Sequence, residues 1–279
     1  MFGLLLVGWF AWLWLRSELP PNCGPAEGAK IVYADGRFYY DRIRRTLLGG
    51  KPTHPVVFLL IPQNAAQRND PDTFYIMENK VWNELFAAYT AAKKTTDVEN
   101  SPNGPQLPDD AREVEVDFSR LPRMNVTVDE AYRFAKWLGG DEANLPTDQQ
   151  WDKAAGMYED VKQSSGPFQV PYAPDEIAVN RSPEQGPAEV GTSEKDISPF
   201  GCRDMAGNGL ELTRTIAAGT IVRRVPLDNP TENDGIVLRG RLHISDAGPL
   251  EYNQFADAGI QPYTEASPNI GFRVVIEVR

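Results

Sequence analysis

Twenty-three glycines and 23 prolines are scattered through the 279 residues, and they set the first constraint on the fold. Proline ends a helix and is confined to sheet edges, while glycine favours turns, so long regular elements are excluded. Short strands and short helices joined by long connections are what remains. With 41% apolar and 10% aromatic residues the chain can still bury a real core, enough for one large irregular domain or two small ones.

Several segments carry local signals. Val56-Val57-Phe58-Leu59-Leu60-Ile61 ends at Pro62 and reads as a buried strand. Ile31-Val32-Tyr33 and Phe38-Tyr39-Tyr40 flank Asp35-Gly36, which is a hairpin signal. Asn83 is placed to cap a helix from Glu84 to Lys93, with Leu85, Phe86, Tyr89 and Ala92 on one side. Thr127 with Glu130 forms a capping box for a helix through Leu138, closed by Gly139-Gly140. Thr147 with Gln150 repeats the device for a short helix through Ala155, stopped by Gly156. Asn125-Val126-Thr127 matches a glycosylation sequon, but Thr127 is committed to the cap, so the match reads as accidental. Glu99 to Arg112 and Gln163 to Glu194 read as loops.

Charge and residue counts exclude several functions. A net charge of -11 argues against nucleic acid, which needs a basic face. His54 and His243 are the only histidines, too few for three imidazoles on one metal. Cys23 and Cys202 leave room for at most one disulfide, and Cys202 reads better as a buried small hydrophobe.

Phe2 to Leu15 is nearly all apolar, includes Trp9, Trp12 and Trp14, and closes at Arg16. As a helix it spans about 21 Å, short of the roughly 30 Å hydrocarbon core. No basic residue precedes it and no small-residue cleavage pattern follows, as a secretory signal requires. Residues 1–16 are therefore expected to be an N-terminal membrane anchor with a truncated start, the tryptophans suiting an interface belt; a buried core helix is the alternative. Ser17 to Lys30, rich in Pro and Gly, reads as a linker, and residues 31–279 as the folded domain, monomeric and placed outside the cytoplasm.

Four motifs then fall in order: Phe74-Tyr75-Ile76-Met77; Leu145-Pro146-Thr147-Asp148-Gln149-Gln150-Trp151; Asp204-Met205-Ala206-Gly207-Asn208-Gly209-Leu210-Glu211; and Leu238-Arg239-Gly240 followed by Gly271-Phe272-Arg273. Together they resemble the formylglycine-generating enzyme (sulfatase-modifying factor) family, whose patterns run roughly FYI, RLPTEAEW, DMxGNVWEW, RGGSW and GFR. The resemblance spans about Pro55 to Val275. It implies an α+β, loop-rich fold of the C-type-lectin-like kind, low in regular secondary structure, with Trp151 in the core.

The family's enzymes oxidise a substrate cysteine using two thiolates that bind copper(I), an ion that selects soft sulfur ligands. Extending the pattern without gaps puts Ser245 and Leu250 on those positions, so neither copper nor iron is expected and no catalytic residue is assigned. The iron-dependent sulfoxide-synthase branch takes its ligands from a three-histidine motif in an added domain, and this chain has neither. A triad of His243, Ser245 and Asp246 is set aside because all three crowd one strand end. Both tryptophans of GNVWEW are also lost here, at Leu210 and Leu212, and the Arg of RLPT is Asn144.

The DMxGNxWE turn of the family binds calcium. Asp204, Gly207, Gly209 and Glu211 fall on its ligand positions without gaps, two as carboxylates and two through backbone carbonyls, the hard oxygens that calcium takes. The plainer alternatives are a turn-capping Asp204 and a solvated Glu211. Asn180 and the region of Asp196 stand near a further upstream site, but the intervening loop differs too much to carry ligands across. Relatives use the segment before GFR as a ligand face. Here that implies Tyr252, Asn253, Phe255, Asp257 and Tyr263. The expected function is a membrane-anchored, non-catalytic module binding an unknown protein or glycan; the alternative is a divergent oxidase of the same family with an unrecognised site.

Overall fold

The computed structural model describes residues 19–47, 54–96, 118–159, 164–217, 225–231, 233–256 and 259–278. Phe2 to Leu15, the expected anchor, and the loop over residues 99–112 lie outside them. No helix among the described residues is long and apolar enough to cross a membrane.

The architecture is mixed, mostly sheet with few helices. In chain order the strands are β1 (Cys23–Pro25), β2 (Ile31–Ala34), β3 (Arg37–Tyr40), β4 (Arg42–Arg45), β5 (Val56–Ile61), β6 (Phe74–Met77), β7 (Ala143–Asn144), β8 (Gly209–Ile216), β9 (Gly235–Arg241), β10 (Ile260–Pro262), β11 (Ile270–Gly271) and β12 (Val275–Glu277). The helices are α1 (Asn83–Thr96), α2 (Val128–Gly139) and α3 (Asp148–Ala154). Six strands form one antiparallel sheet in the order β1-β4-β5-β6-β12-β7. Four more form a second sheet, β10-β9-β8-β11, in which only the β11–β8 pairing is parallel. β2 and β3 make a separate hairpin.

The six-stranded sheet is buried on both faces, which explains why β5 and β6 are continuous apolar runs and not alternating ones. Phe58, Leu60, Tyr75 and Met77 point into a cluster with Leu85, Phe86, Phe134 and Leu138 from α1 and α2. Their neighbours Leu59, Ile61, Phe74 and Ile76 point the other way, to Trp151, Cys202, Met205, Leu250 and Phe255. That is the two-residue alternation of a strand used to serve two cores. Phe272, from the Gly-Phe-Arg motif, meets Phe134 edge-on with ring centroids 5.3 Å apart, and Phe86 stacks on Phe134 at 5.5 Å. Such pairs add about 0.5–1.5 kcal/mol beyond burial.

Local signals in the sequence are realised. In both capping boxes the hydroxyl accepts from the N3 amide while the N3 side chain accepts from the cap amide: Thr127 with Glu130, and Thr147 with Gln150. Thr127 Oγ1 also donates to Glu130 Oε2 at 3.1 Å. Asp35 and Gly36 both have positive φ, 42° and 87°, as a two-residue hairpin turn requires. Trp151 is fully buried, as is Cys202, whose thiol burial pushes up to about 11. Both cysteines are free. One stretch differs from the reading: Cys23–Pro25, inside the expected linker, is the edge strand β1, with Cys23 opposite Arg45. Left-handed Asn22 (φ 57°) turns the chain into register, and its carbonyl accepts from Thr46 N at 2.9 Å. Pro and Gly at an edge strand are compatible with pairing, which is why composition misled.

Candidate functional site

Two polar features lie close together at the start of β8: a buried ionic cluster around the 204–211 turn, and a cavity between β9 and the segment that follows it.

The turn is built on left-handed residues, Asp204 (φ 58°), Asn208 (φ 61°) and Gly209 (φ 98°). Asn208 clasps residue 188 through both ends of its amide: Ala188 N donates to Oδ1 at 2.9 Å and Nδ2 donates to Ala188 O at 3.0 Å. Gly207 cannot carry a side chain, because a Cβ there would lie 2.7 Å from Ala178 O. The tight turn brings Asp204 and Glu211 into the interior, both with no exposed surface.

Glu211 is held by two cations. Arg273 donates through Nε to Oε2 at 2.6 Å and through Nη2 to Oε1 at 2.8 Å. Lys80 Nζ donates to the same Oε1 at 2.7 Å, and to Gly209 O at 3.0 Å. The remaining Arg273 donors reach Met77 O, Glu78 O and Arg203 O, so all five of its N–H groups are used. Burial would push the Glu211 carboxyl up, but Arg273 and Lys80 outweigh it and hold it at about 2. Nearby, Asp196 and Asp204 are also fully buried. Asp196 Oδ1 accepts from Ala206 N at 2.8 Å and Asp204 Oδ2 from Gly191 N at 2.7 Å, while Asp196 Oδ2 and Asp204 Oδ1 have no partner. Burial, reinforced by the charge of Asp204, pushes Asp196 up to about 7; burial also raises Asp204, opposed by the Gly191 amide, Lys80 and Arg273.

Of the four positions that the resemblance marks for calcium, Glu211 and the Gly209 carbonyl already accept from fixed cations. A calcium ion would have to displace Lys80 to reach either. As built, the donor set does not fit the ion. Among the described residues there is no group of three or more His, Cys, Asp or Glu side chains arranged to hold a metal.

The cavity, of 270 Å³, is lined by Leu210, Leu242, Leu250 and Phe255 together with Arg239, Arg241, Ser245 and Gln254, among others. Ser245 and Leu250, which the ungapped motif placed on the thiolate positions, share this one cavity. Arg239 is neutralised: its Nε and Nη2 donate to Asp152 at 2.5 and 2.9 Å. Arg241 is different. Its Nη2 donates to the neutral Gln254 side chain, its Nε–H is buried without a partner, and no carboxylate pairs with it among the described residues.

Of the residues expected to form a ligand face, Tyr252 and Phe255 lie ring to ring at 5.5 Å but border different depressions, and Tyr263 packs elsewhere. Phe255 lines the cavity with one edge and packs against Trp151, centroids 5.7 Å apart. Tyr252 borders a different depression beside Phe168 and Pro199, its hydroxyl donating to Ala155 O at 3.0 Å. Tyr263 is buried in the α1–α2 core, where its hydroxyl accepts from Leu227 N at 3.2 Å. Asn253 is exposed, and Asp257 lies outside the described residues. Loop aromatics look alike in sequence whether they face a ligand or anchor the loop. His243 is buried with Nδ1 unpartnered, and burial lowers its pKa. Sequence reasoning missed Lys80, Arg241 and Gln254. The partners of Lys80 lie 129 and 131 residues away, so no local pattern marks it.

The sulfatase-modifying factor enzyme 1-like domain family matches residues 16–278. The chain belongs to this family. Solved structures similar to it include PvdO from Pseudomonas aeruginosa, at 16% identity over 80% of this chain and 95% of that one, with a TM-score of 0.55. CarF matches at 19% identity, 79% and 94% coverage and a TM-score of 0.54. Treponema denticola variable protein 1 matches at 16% identity, 90% and 99% coverage and a TM-score of 0.55. At these identities the likeness is one of fold. No curated protein matches the chain.

Proposed function

We propose that this family member is a membrane-anchored binding module that carries out no thiol oxidation, and that its cavity takes a ligand with an acidic group and an apolar body. The observation that carries the reading is Arg241: a guanidinium in a largely apolar cavity, without a carboxylate partner among the described residues and with a buried, unpaired Nε–H. A buried donor left without an acceptor is costly, and an anionic ligand group would satisfy it with a charge-assisted bond. Leu210, Leu242, Leu250 and Phe255 would cover the apolar part. A base of the C-type-lectin-like kind would present this cavity between β9 and the segment that follows it, and Phe2 to Leu15 would tether it to the bilayer.

Ser245 and Leu250 weigh against the family's oxidation, since a hydroxyl is a hard, weakly acidic ligand and leucine is none. The test has two arms. Titration with an anilinonaphthalene sulfonate, an apolar probe bearing an anion, should show saturable fluorescence that Arg241→Leu abolishes and that apolar uncharged probes do not reproduce. Incubation with a Cys-x-Pro-x-Arg peptide should yield no aldehyde by mass spectrometry. Probe binding indifferent to Arg241, or aldehyde above a no-protein control, overturns the corresponding half of the reading.

A further inference from the structure

We propose that the Lys80 ammonium is a built-in cation that takes the place of a metal ion in the 204–211 turn, so that the turn is ordered without one. Its Nζ does what a bound cation would do. It draws together a backbone carbonyl of the turn, Gly209 O at 3.0 Å, and the carboxylate that ends the motif, Glu211 Oε1 at 2.7 Å. Both ions of the pair are fully buried. Asp204, the third expected ligand, also has its upward shift opposed by the charge of Lys80.

The stem of Lys80 is fixed on both sides. Met77 N donates to Val274 O and Val81 N to Phe272 O, each at 2.9 Å, so the backbone on either side of residues 78–80 is pinned to the Gly-Phe-Arg segment. The chain between bulges around Arg273, which donates to the carbonyls of Met77 and Glu78. An ammonium delivered from this bulge arrives at a set position, as a ligand-bound ion would, but it is covalently attached and no chelator can remove it.

Charge accounting supports the assignment. Lys80 and Arg273 face three carboxylates, Glu211, Asp204 and Asp196. The charge of Asp204 opposes the ionisation of Asp196, while Lys80 and Arg273 favour it. A divalent ion added beside Lys80 would share Glu211 with two cations already within hydrogen-bond distance. The like-charge repulsion in a low-dielectric interior would exceed what the remaining oxygens could return.

The experiment compares thermal midpoints of the full chain in calcium and in chelator. In the wild type the two midpoints should coincide. Lys80→Ala removes the ammonium and leaves Gly209 O and part of Glu211 unpaired. Its midpoint in chelator should fall by many degrees, and millimolar calcium should restore a large part of that loss. Glu211→Gln in the Lys80→Ala background should cancel the restoration. Should Lys80→Ala not fold in chelator, refolding with calcium should recover folded protein where refolding without it does not. Calcium stabilisation of the wild type overturns the proposal. So does a Lys80→Ala chain on which calcium acts no more than on the wild type, or one that calcium fails to recover.

Discussion

The ionic cluster and the cavity wall stand only a few residues apart along β8 and β9, yet they treat charge in opposite ways. In the cluster, Arg273 uses all five donors and Glu211 accepts from two cations. On the wall, Arg239 is neutralised by Asp152, whereas Arg241 two residues on has, among the described residues, a neutral amide as its side-chain partner and an unpaired Nε–H. Saturated polar groups specify a fold; unsaturated ones are available to a ligand. The contrast separates what holds this molecule together from what it can offer.

The strongest way to break that contrast is Arg273→Met. It strips Glu211 of its bidentate partner and removes a donor from three interior carbonyls, of which Glu78 O keeps the Arg203 amide. Breaking a buried pair from one side costs about 3–5 kcal/mol, on the order of 10 °C in midpoint for a domain of this size. A loss under about 1 kcal/mol in chemical denaturation would mean that the cluster is not what holds β8 in place.

Asp152→Asn is intermediate, because it leaves Arg239 with one acceptor on residue 152, the Leu238 carbonyl at 3.3 Å and the more distant Asp148 carboxylate at 3.6 Å. A charged hydrogen bond contributes about 1.5–3 kcal/mol, so a loss within that range is expected in the same measurement. A null effect would place Arg239 with Arg241 as an available group.

The pH dependence separates the two carboxylate environments. Asp196 is raised from 3.8 to about 7, so the folded state holds a proton that the unfolded state gives up. Its contribution is present at low pH and lost as pH rises through that window. Glu211 is lowered from 4.5 to about 2, so its contribution is present above 4.5 and lost as pH falls toward 2. Wild-type stability should therefore decline between about pH 4 and pH 7, and Asp196→Asn, which keeps the acceptor for Ala206 N, should flatten that decline. Denaturation midpoints across the range decide it; an unchanged slope would locate the titration elsewhere.

The smallest effect on stability should come from Arg241→Leu, within about 0.5 kcal/mol, together with complete loss of anionic-probe binding. A large destabilisation would show that the guanidinium is structural and that the contrast between the two regions is false.

Much of the fold was legible because its signals are local. The hairpin at Asp35-Gly36, both capping boxes and the β5 run each depend on residues within a few positions of one another. The motif order sufficed for the family. The sites were less legible. Gly209 O and Glu211 share one partner, but it is a lysine from beyond β6, and pairing across 131 residues leaves no trace in spacing. The aromatics before Gly271 scattered because burial of Tyr263 and the hydroxyl bond of Tyr252 are set by distant elements. β1 was hidden by its own Pro and Gly, which mark an edge strand as readily as a tether.

Gly240 lies opposite Leu210 with φ 91°, and a Cβ at that position would sit 3.0 Å from the carbonyl oxygen of Gly209. That oxygen is the one Lys80 holds from the other side. The wall between the cavity and its foundation is therefore one carbonyl thick. For anyone reshaping the recognition surface, positions 241, 242, 245 and 254 can be randomised as a palette, while position 240 is masonry. A library that varies it would lose members to misfolding before any ligand was offered, and the survivors at that position would be glycine.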